Sequence, residues 1–446
     1  MAPAKQNKGW GQVKTLAKLA VGVPAFATSI ATEARLTSLF KLPFPRDVDE
    51  ILHAPERFFS LLQEAGALPA RAELLGIQQG EGLHNEPDKQ RTSGILEVRW
   101  SDGPLDARAP STPARSQRLF VKFQNGRGLP LWLQAMRATV EWGIAREVDF
   151  YRRLAPTAPL RVPKAMYANY LPAFNRVCLV LEHTEGYNLA DWRGCPITAV
   201  RAMLRDVSRL NATYFGRVDT DSRSSWIPAR SGLDYASFVG DFMAGEADWY
   251  RQIWAALVDY FADHPLTLVH GDCRPGNMLF VDDGDIQRAV ESGDDDDRRR
   301  WDDDIDDTEV VFLDWEATNA APLWWDFTYC TTVGITVEDR RALRPRLLDE
   351  HRRNLIKNGV PESMLGPQRC RVEVELLTLV LVFVAKLVRT KGFWDRQGNT
   401  AEDFAAWDER IRAVIEDADI PTITNALGLP AEPLHELKRA AADWQF

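Results

Sequence analysis

The segment Leu268-Val269-His270-Gly271-Asp272-Cys273-Arg274-Pro275-Gly276-Asn277 sets an aspartate and an asparagine five residues apart, directly after a short apolar run that reads as a strand. Those two residue types at that spacing suit phosphoryl transfer. An aspartate can orient an attacking hydroxyl and accept its proton, while an asparagine oxygen a short loop away helps hold the magnesium that bridges nucleotide phosphates. At ~5% usage per residue type, H-G-D-x-x-x-x-N arises by chance in about three chains per thousand of this length, so a second, independent feature has to carry part of the weight. That feature is Val310-Val311-Phe312-Leu313-Asp314-Trp315-Glu316, an apolar strand that delivers a carboxylate at its end. Magnesium takes hard oxygen ligands and keeps some of its waters, so Asp314 beside Asn277 makes a coherent site. Alone, Asp314 would read as a turn residue after a core strand.

Elements must position these groups. A helical pattern from Pro45 to Gly66 (Val48, Ile51, Leu52, Phe58, Phe59, Leu61, Leu62) gives way to strand patterns at Leu74 to Gln78, Gly94 to Trp100 and Arg118 to Phe123. A helix-like stretch from Trp132 to Leu154 follows, then a further strand from Val177 to Glu182, then helical patterns from Thr198 to Tyr260 and a short strand from Leu266 to His270. Met278 to Val281 and Val310 to Leu313 read as two strands of one hairpin whose turn is enlarged by the run from Asp282 to Glu309. With 13 acids and 4 bases between Asp282 and Asp307, this run holds nearly all of the chain's net charge of −10 and reads as a disordered insertion. Strands and one helix followed by a mostly helical remainder imply an α+β fold in two parts.

Here the chain resembles the aminoglycoside phosphotransferase and choline kinase superfamily, and more narrowly its ecdysteroid-kinase-like branch, over about residues 45 to 430. The resemblance implies a bilobal protein-kinase-like fold: a small nucleotide-binding lobe (45–184) with an antiparallel sheet and a helix, and a larger helical lobe (185–446) carrying the insertion 282–309, with ATP between them. It makes Asp272 the catalytic residue, Asn277 and Asp314 the Mg2+ ligands, and His270 and Asp326 supports of the loop. Lys122, in Leu119-Phe120-Val121-Lys122-Phe123, is similar to the strand lysine that grips the phosphates. Its expected helix partner is Glu147, with Glu141 in reserve. Val177 to Glu182 with His183-Thr184-Glu185-Gly186 resembles the hinge that reads adenine through the main chain of Glu182 and Thr184, and Gly80-Glu81-Gly82 is either a phosphate-covering loop or a plain turn. Arg274 stays open between phosphate, an anionic substrate and a neighbouring acid. The implied activity is transfer of the ATP phosphoryl group to a hydroxyl of a small molecule. The competing readings are a catalytically silent ATP-binding scaffold and an interaction protein that uses the acidic run. Trp324-Trp325-Asp326-Phe327 could be core or could line a pocket for a ring-containing alcohol.

Composition bounds the rest. At 446 residues, 45% apolar and 26% charged, the chain is long enough for two packed lobes and unlike disordered or fibrous classes. No basic stripe offers the phosphate contacts that nucleic acid needs. Five scattered cysteines without a C-x-x-C pair fit a reducing compartment and offer no zinc site. The longest apolar run, Leu376 to Ala385, is too short for a membrane span. A cytoplasmic location is expected. The alternative is organelle targeting through the segment 1–44, whose first 32 residues hold Lys5, Lys8, Lys14 and Lys18 and no acid.

Overall fold

A computed structural model of the chain describes residues 43–80, 93–102, 114–124, 144–171, 176–189, 194–227, 248–281, 284–292, 299, 301, 308–390 and 401–442. The N-terminal basic segment, Gly82 and Glu141 lie outside the described residues. The chain divides into two compact units, 1–156 with 163–184, and 157–162 with 185–446.

The first unit opens with two helices, α1 (Val48–His53) and α2 (Pro55–Glu64), where the sequence pattern predicts one. Pro55 lacks the amide that would continue α1 but is preformed for a first helical turn, so the chain breaks at Ala54 and restarts. Asp47 caps α1 by accepting the Glu50 amide at 2.8 Å. Five strands follow: β1 (Glu73–Gln79), β2 (Ser93–Ser101), β3 (Ala114–Gln124), β4 (Ala165–Leu171) and β5 (Arg176–Glu182), with helix α3 (Ile144–Arg153) inserted before β4. The sheet is antiparallel throughout, in the order β1-β2-β3-β5-β4. Strand β4, Ala-Met-Tyr-Ala-Asn-Tyr-Leu, was not predicted; its small and polar residues blur the period-two pattern, and β5 alone holds it in the sheet.

Alternation along β3 decides what this unit offers. Leu119, Val121 and Phe123 pack with Phe58, Leu62, Leu96, Val98, Cys178 and Val180 into one core. The side-chain period of two therefore sends Lys122 to the opposite face of the sheet. Helix α3 packs on β4 and β5 and buries Glu147, Phe150 and Tyr151.

The second unit is mostly helical. After α4 (Ile197–Tyr214) and α5 (Asp248–Tyr260) come β6 (Leu266–Val269) and β7 (Met278–Val281), then α6 (Gly284–Ser292), β8 (Glu309–Phe312) and β9 (Asn319–Pro322). The hairpin expected from the sequence is present: β7 and β8 pair antiparallel with Val281 opposite Glu309, and β6 pairs with β9. Helices α7 (Trp325–Val333), α8 (Val337–Lys357), α9 (Pro367–Thr390), α10 (Ala401–Glu416), α11 (Ile420–Leu427) and α12 (Glu432–Ala442) complete it. Among the described residues no helix is long and apolar enough to cross a membrane.

The acidic run departs from the expectation of disorder. Its described part includes α6, which buries Ile286 and Ala289, spaced three apart on one helical face. Farther on, Trp301 lies beneath two guanidinium groups, and the buried Thr308 gives its carbonyl to Arg205 Nη2 at 2.8 Å. Counting apolar residues missed their spacing, which lets a few of them anchor a charged segment.

Candidate active site

The loop between β6 and β7 is held from beneath by one buried carboxylate. Asp326, the second residue of α7, is fully buried and accepts the amides of His270 and Gly271, each at 2.9 Å, one on each oxygen. Burial pushes this carboxyl above its ordinary range against the pull of His270 and those amides. Asn211 of α4 adds its amide to the Leu268 carbonyl at 2.9 Å, and the Trp325 indole donates to the Gly271 carbonyl at 3.3 Å. Gly271 has φ 88°, and a Cβ there would lie 2.1 Å from the Ala317 carbonyl oxygen, so only glycine passes this point.

His270 is an organiser. Its Nε2–H donates to the Leu313 carbonyl at 2.8 Å while Nδ1 accepts the Asp272 amide at 3.3 Å, which assigns the tautomer. One ring thus ties the Asp272 backbone to the residue just before Asp314. Trp315, 4.6 Å away between ring centres, packs against it.

Asp272 and Asn277 are joined directly: Asn277 Nδ2 donates to Asp272 Oδ2 at 2.7 Å and to the Asp272 carbonyl at 2.9 Å. The Asn277 amide oxygen takes no part in these contacts and is the atom with ligand character. Arg274 Nε sits 3.2 Å from Asp272 Oδ2, so the acid it meets is the loop's own aspartate. Burial raises the Asp272 carboxyl; the Arg274 charge, the Tyr329 hydroxyl, His270 and the Asn277 amide together pull it lower, leaving it below the usual carboxylate range. Asp272 Oδ1 is buried with no hydrogen-bond partner among the described residues. A buried, ionised oxygen without a donor is costly in a finished structure and useful where a substrate supplies the donor.

Asp314 follows β8 with φ 56° and ψ 64°, the one non-glycine residue at positive φ among those described. Aspartate tolerates this region better than most residues, and such strain is concentrated at functional positions. No cluster of three or more His, Cys, Asp or Glu side chains able to hold a metal occurs among the described residues. An amide oxygen and carboxylates fit a hard cation that keeps waters or phosphate oxygens as its remaining ligands.

In the first unit Lys122 Nζ lies 2.8 Å from Glu147 Oε2, and the Glu147 side chain is 2% exposed. A glutamate in the apolar stripe of a helix is stable only when paired, and the β3 lysine supplies the partner. At the end of β5, the Glu182 amide donates to the Lys164 carbonyl and the Lys164 amide to Glu182 Oε1, each at 2.9 Å, while the His183 amide donates to Arg118 at 3.0 Å. Thr184 ends the unit. Gly80 donates its amide to Ile95, and a Cβ there would meet Ile95 Cγ2 at 2.9 Å, a packing reason for glycine.

Comparison with known proteins adds a sequence match. Over residues 114–290 the chain matches the phosphotransferase enzyme family, APH. This stretch spans Lys122, Glu147, Asp272 and Asn277 and ends in α6, ahead of Asp314. The match supports the superfamily that the loop motif points to. No curated protein matches the chain. Among solved structures, a choline/ethanolamine kinase family protein from Mesorhizobium loti is 14% identical, with 83% of this chain and 98% of that one covered and a TM-score of 0.43. An ethanolamine kinase from Plasmodium vivax is 10% identical, with 93% and 95% covered and a TM-score of 0.47. A putative aminoglycoside phosphotransferase from Ralstonia eutropha is 13% identical, with 84% and 98% covered and a TM-score of 0.41.

Sequence reasoning did not find Asn211, the bond from Trp325 to the loop, or Tyr329. The last stands three residues after Asp326 in α7, hence on the same helical face, and that spacing was a usable signal. Trp324 and Phe327, open in the sequence between core and pocket, are core: both are buried and both pack on His351.

Proposed function

We propose that this chain transfers the terminal phosphoryl group of ATP to a hydroxyl of a small molecule, with Asp272 as the catalytic residue. The observation that carries the reading is the state of the Asp272 carboxylate. Oδ2 is fixed by Asn277 and Arg274, the Tyr329 hydroxyl helps to lower the pKa of the group, and Oδ1 is buried with no hydrogen-bond partner among the described residues. An acceptor hydroxyl bonded to Oδ1 would be oriented for in-line attack and would pass its proton there as the new P–O bond forms. Asn277 and Asp314 would hold the magnesium, which when bound supplies charge neutralisation on the phosphates. Lys122, kept extended by Glu147, would contribute the cation for the nucleotide. Glu182 and Thr184 would offer main-chain groups to the adenine. The ecdysteroid-kinase-like branch is the narrower placement we favour within the superfamily, on its H-G-D-x-x-x-x-N and D-W-E segments.

The test is acceptor-dependent ADP release with Mg-ATP across a library of sterols, aminoglycosides, choline and hydroxyacyl compounds, with the phosphate monoester identified by mass. The expected result is turnover on at least one class, abolished in Asp272→Asn. Tight Mg-ATP binding with no turnover on any class would favour the silent scaffold instead.

A further inference from the structure

Away from the catalytic loop, helices α4 and α8 pack against each other and leave a cleft of about 390 Å³ lined by Arg201, Trp301, Arg346, Glu350, Arg353 and Asn354. The four α8 residues fall at spacings of four, seven and eight, which is one helical face. Their charges do not cancel. Arg201, 6% exposed, is gripped at Nε by both oxygens of Glu350, at 3.0 and 2.9 Å, so the one acid among the described lining residues is already engaged. Arg346 forms no ion pair among the described residues; its guanidinium carbon rests 3.7 Å from the centre of the Trp301 ring. Arg353 is exposed and, among the described residues, pairs with Asp349 at 3.5 Å.

Trp301 is the feature that needs explaining. It comes from the middle of the acidic run and lies within cation–π distance of two arginines, 4.5 Å from Arg201 and 3.7 Å from Arg346. An indole in that place backs the Arg346 guanidinium plane, whose N–H groups form no ion pair among the described residues. Planar forks fixed in that way are the protein group best matched to phosphate and carboxylate oxygens.

We propose that this cleft is a second anion site that takes the phosphate of a small phosphorylated molecule, with Arg346 and Arg353 as its cations and Trp301 as the platform that orients Arg346. The proposal does not rest on the catalytic reading, since none of these residues belongs to the loop.

Isothermal titration of the full chain with inorganic pyrophosphate, in metal-free buffer, tests it. Wild type should bind with an affinity that falls as salt rises, and Arg346→Gln and Arg353→Gln should each bind about tenfold or more weakly, one charge-assisted contact being lost. Arg341→Gln, on α8 but outside the lining, should bind as wild type does. Tryptophan emission should change on titration of wild type but much less in Trp301→Phe. The idea is overturned if wild type gives no binding at millimolar pyrophosphate, as would happen if acids of the chain itself already occupied the arginines. It is also overturned if both arginine variants bind unchanged. Both side chains are exposed, so circular dichroism should show the variants folded, and each serves as a check on the other.

Discussion

Asp314 combines a left-handed backbone with a proposed ligand role, and two substitutions separate these properties. Asparagine visits that region readily and alanine does not, at a cost of roughly 1–2 kcal/mol. Asp314→Asn should therefore melt close to wild type yet show weakened magnesium dependence of nucleotide binding, whereas Asp314→Ala should lose both. A normal magnesium titration in both variants would move the ligand elsewhere. For Asp272→Asn, turnover should fall roughly 100- to 10,000-fold with nucleotide binding retained, the range expected for loss of a positioned general base. The ion pair in the first unit gives a further check. Lys122→Met strands a buried glutamate and should destabilise that unit by about 3–5 kcal/mol, while adding Glu147→Gln should recover much of the loss in a urea titration. Among single residues, two of the groupings that the sequence suggested are in contact, Asp272 with Asn277 and Lys122 with Glu147. The contacts that hold them were less legible. The bond from His270 to the Leu313 carbonyl joins positions 43 residues apart, and no local pattern announces it.

Elements with strong periodicity were readable, and those whose register depends on a neighbour were not. Strands β1, β2 and β3 follow from their strand patterns and β5 from a short continuous apolar run, whereas β4 exists because β5 pairs with it. Pro55 could have announced the break between α1 and α2, since proline opens helices far more readily than it continues them. The acidic run was misjudged because net charge masks a handful of well-spaced anchors. Trp301→Ala should consequently cost about 1–2 kcal/mol of second-unit stability, the sum expected of two cation–π contacts, measured as a lowered urea midpoint. An unchanged midpoint would return the run to the status of a solvated loop.

At the scale of the whole molecule, one buried histidine ties stability to pH. His351 is 1% exposed, donates Nδ1–H to the Leu204 carbonyl at 3.1 Å, and lies stacked on Phe327. Burial lowers its pKa from 6.5 to about 4, with the Leu204 bond opposing. The unfolded chain therefore binds a proton that the folded chain refuses between those two values. Stability from this group is complete above pH 6.5 and declines as pH falls toward 4, by about 3 kcal/mol across the window. His351→Asn keeps a donor for Leu204; it should start less stable at pH 7.5 but show a flatter dependence of urea midpoint on pH. An equally steep slope would assign the acid sensitivity to other groups.

The hairpin register carries a consequence for the continuity of the chain itself. Val281 and Glu309 are cross-strand partners, so the two ends of the run between them lie side by side. The unit is also woven from both sides of that run: β6 and β7 come before it, β9 and β8 after it, and α4 before it packs on α8 after it. A covalent link between the two sides contributes only loop-closure entropy, which varies slowly with length. The molecule is thus suited to assembly from two pieces. Co-expressed fragments 1–292 and 299–446 should associate without a linker, copurify through a tag on either one, and recover the fold of the intact chain by circular dichroism; separate purification of the two pieces would show that the connection through the acidic run is needed to build the site.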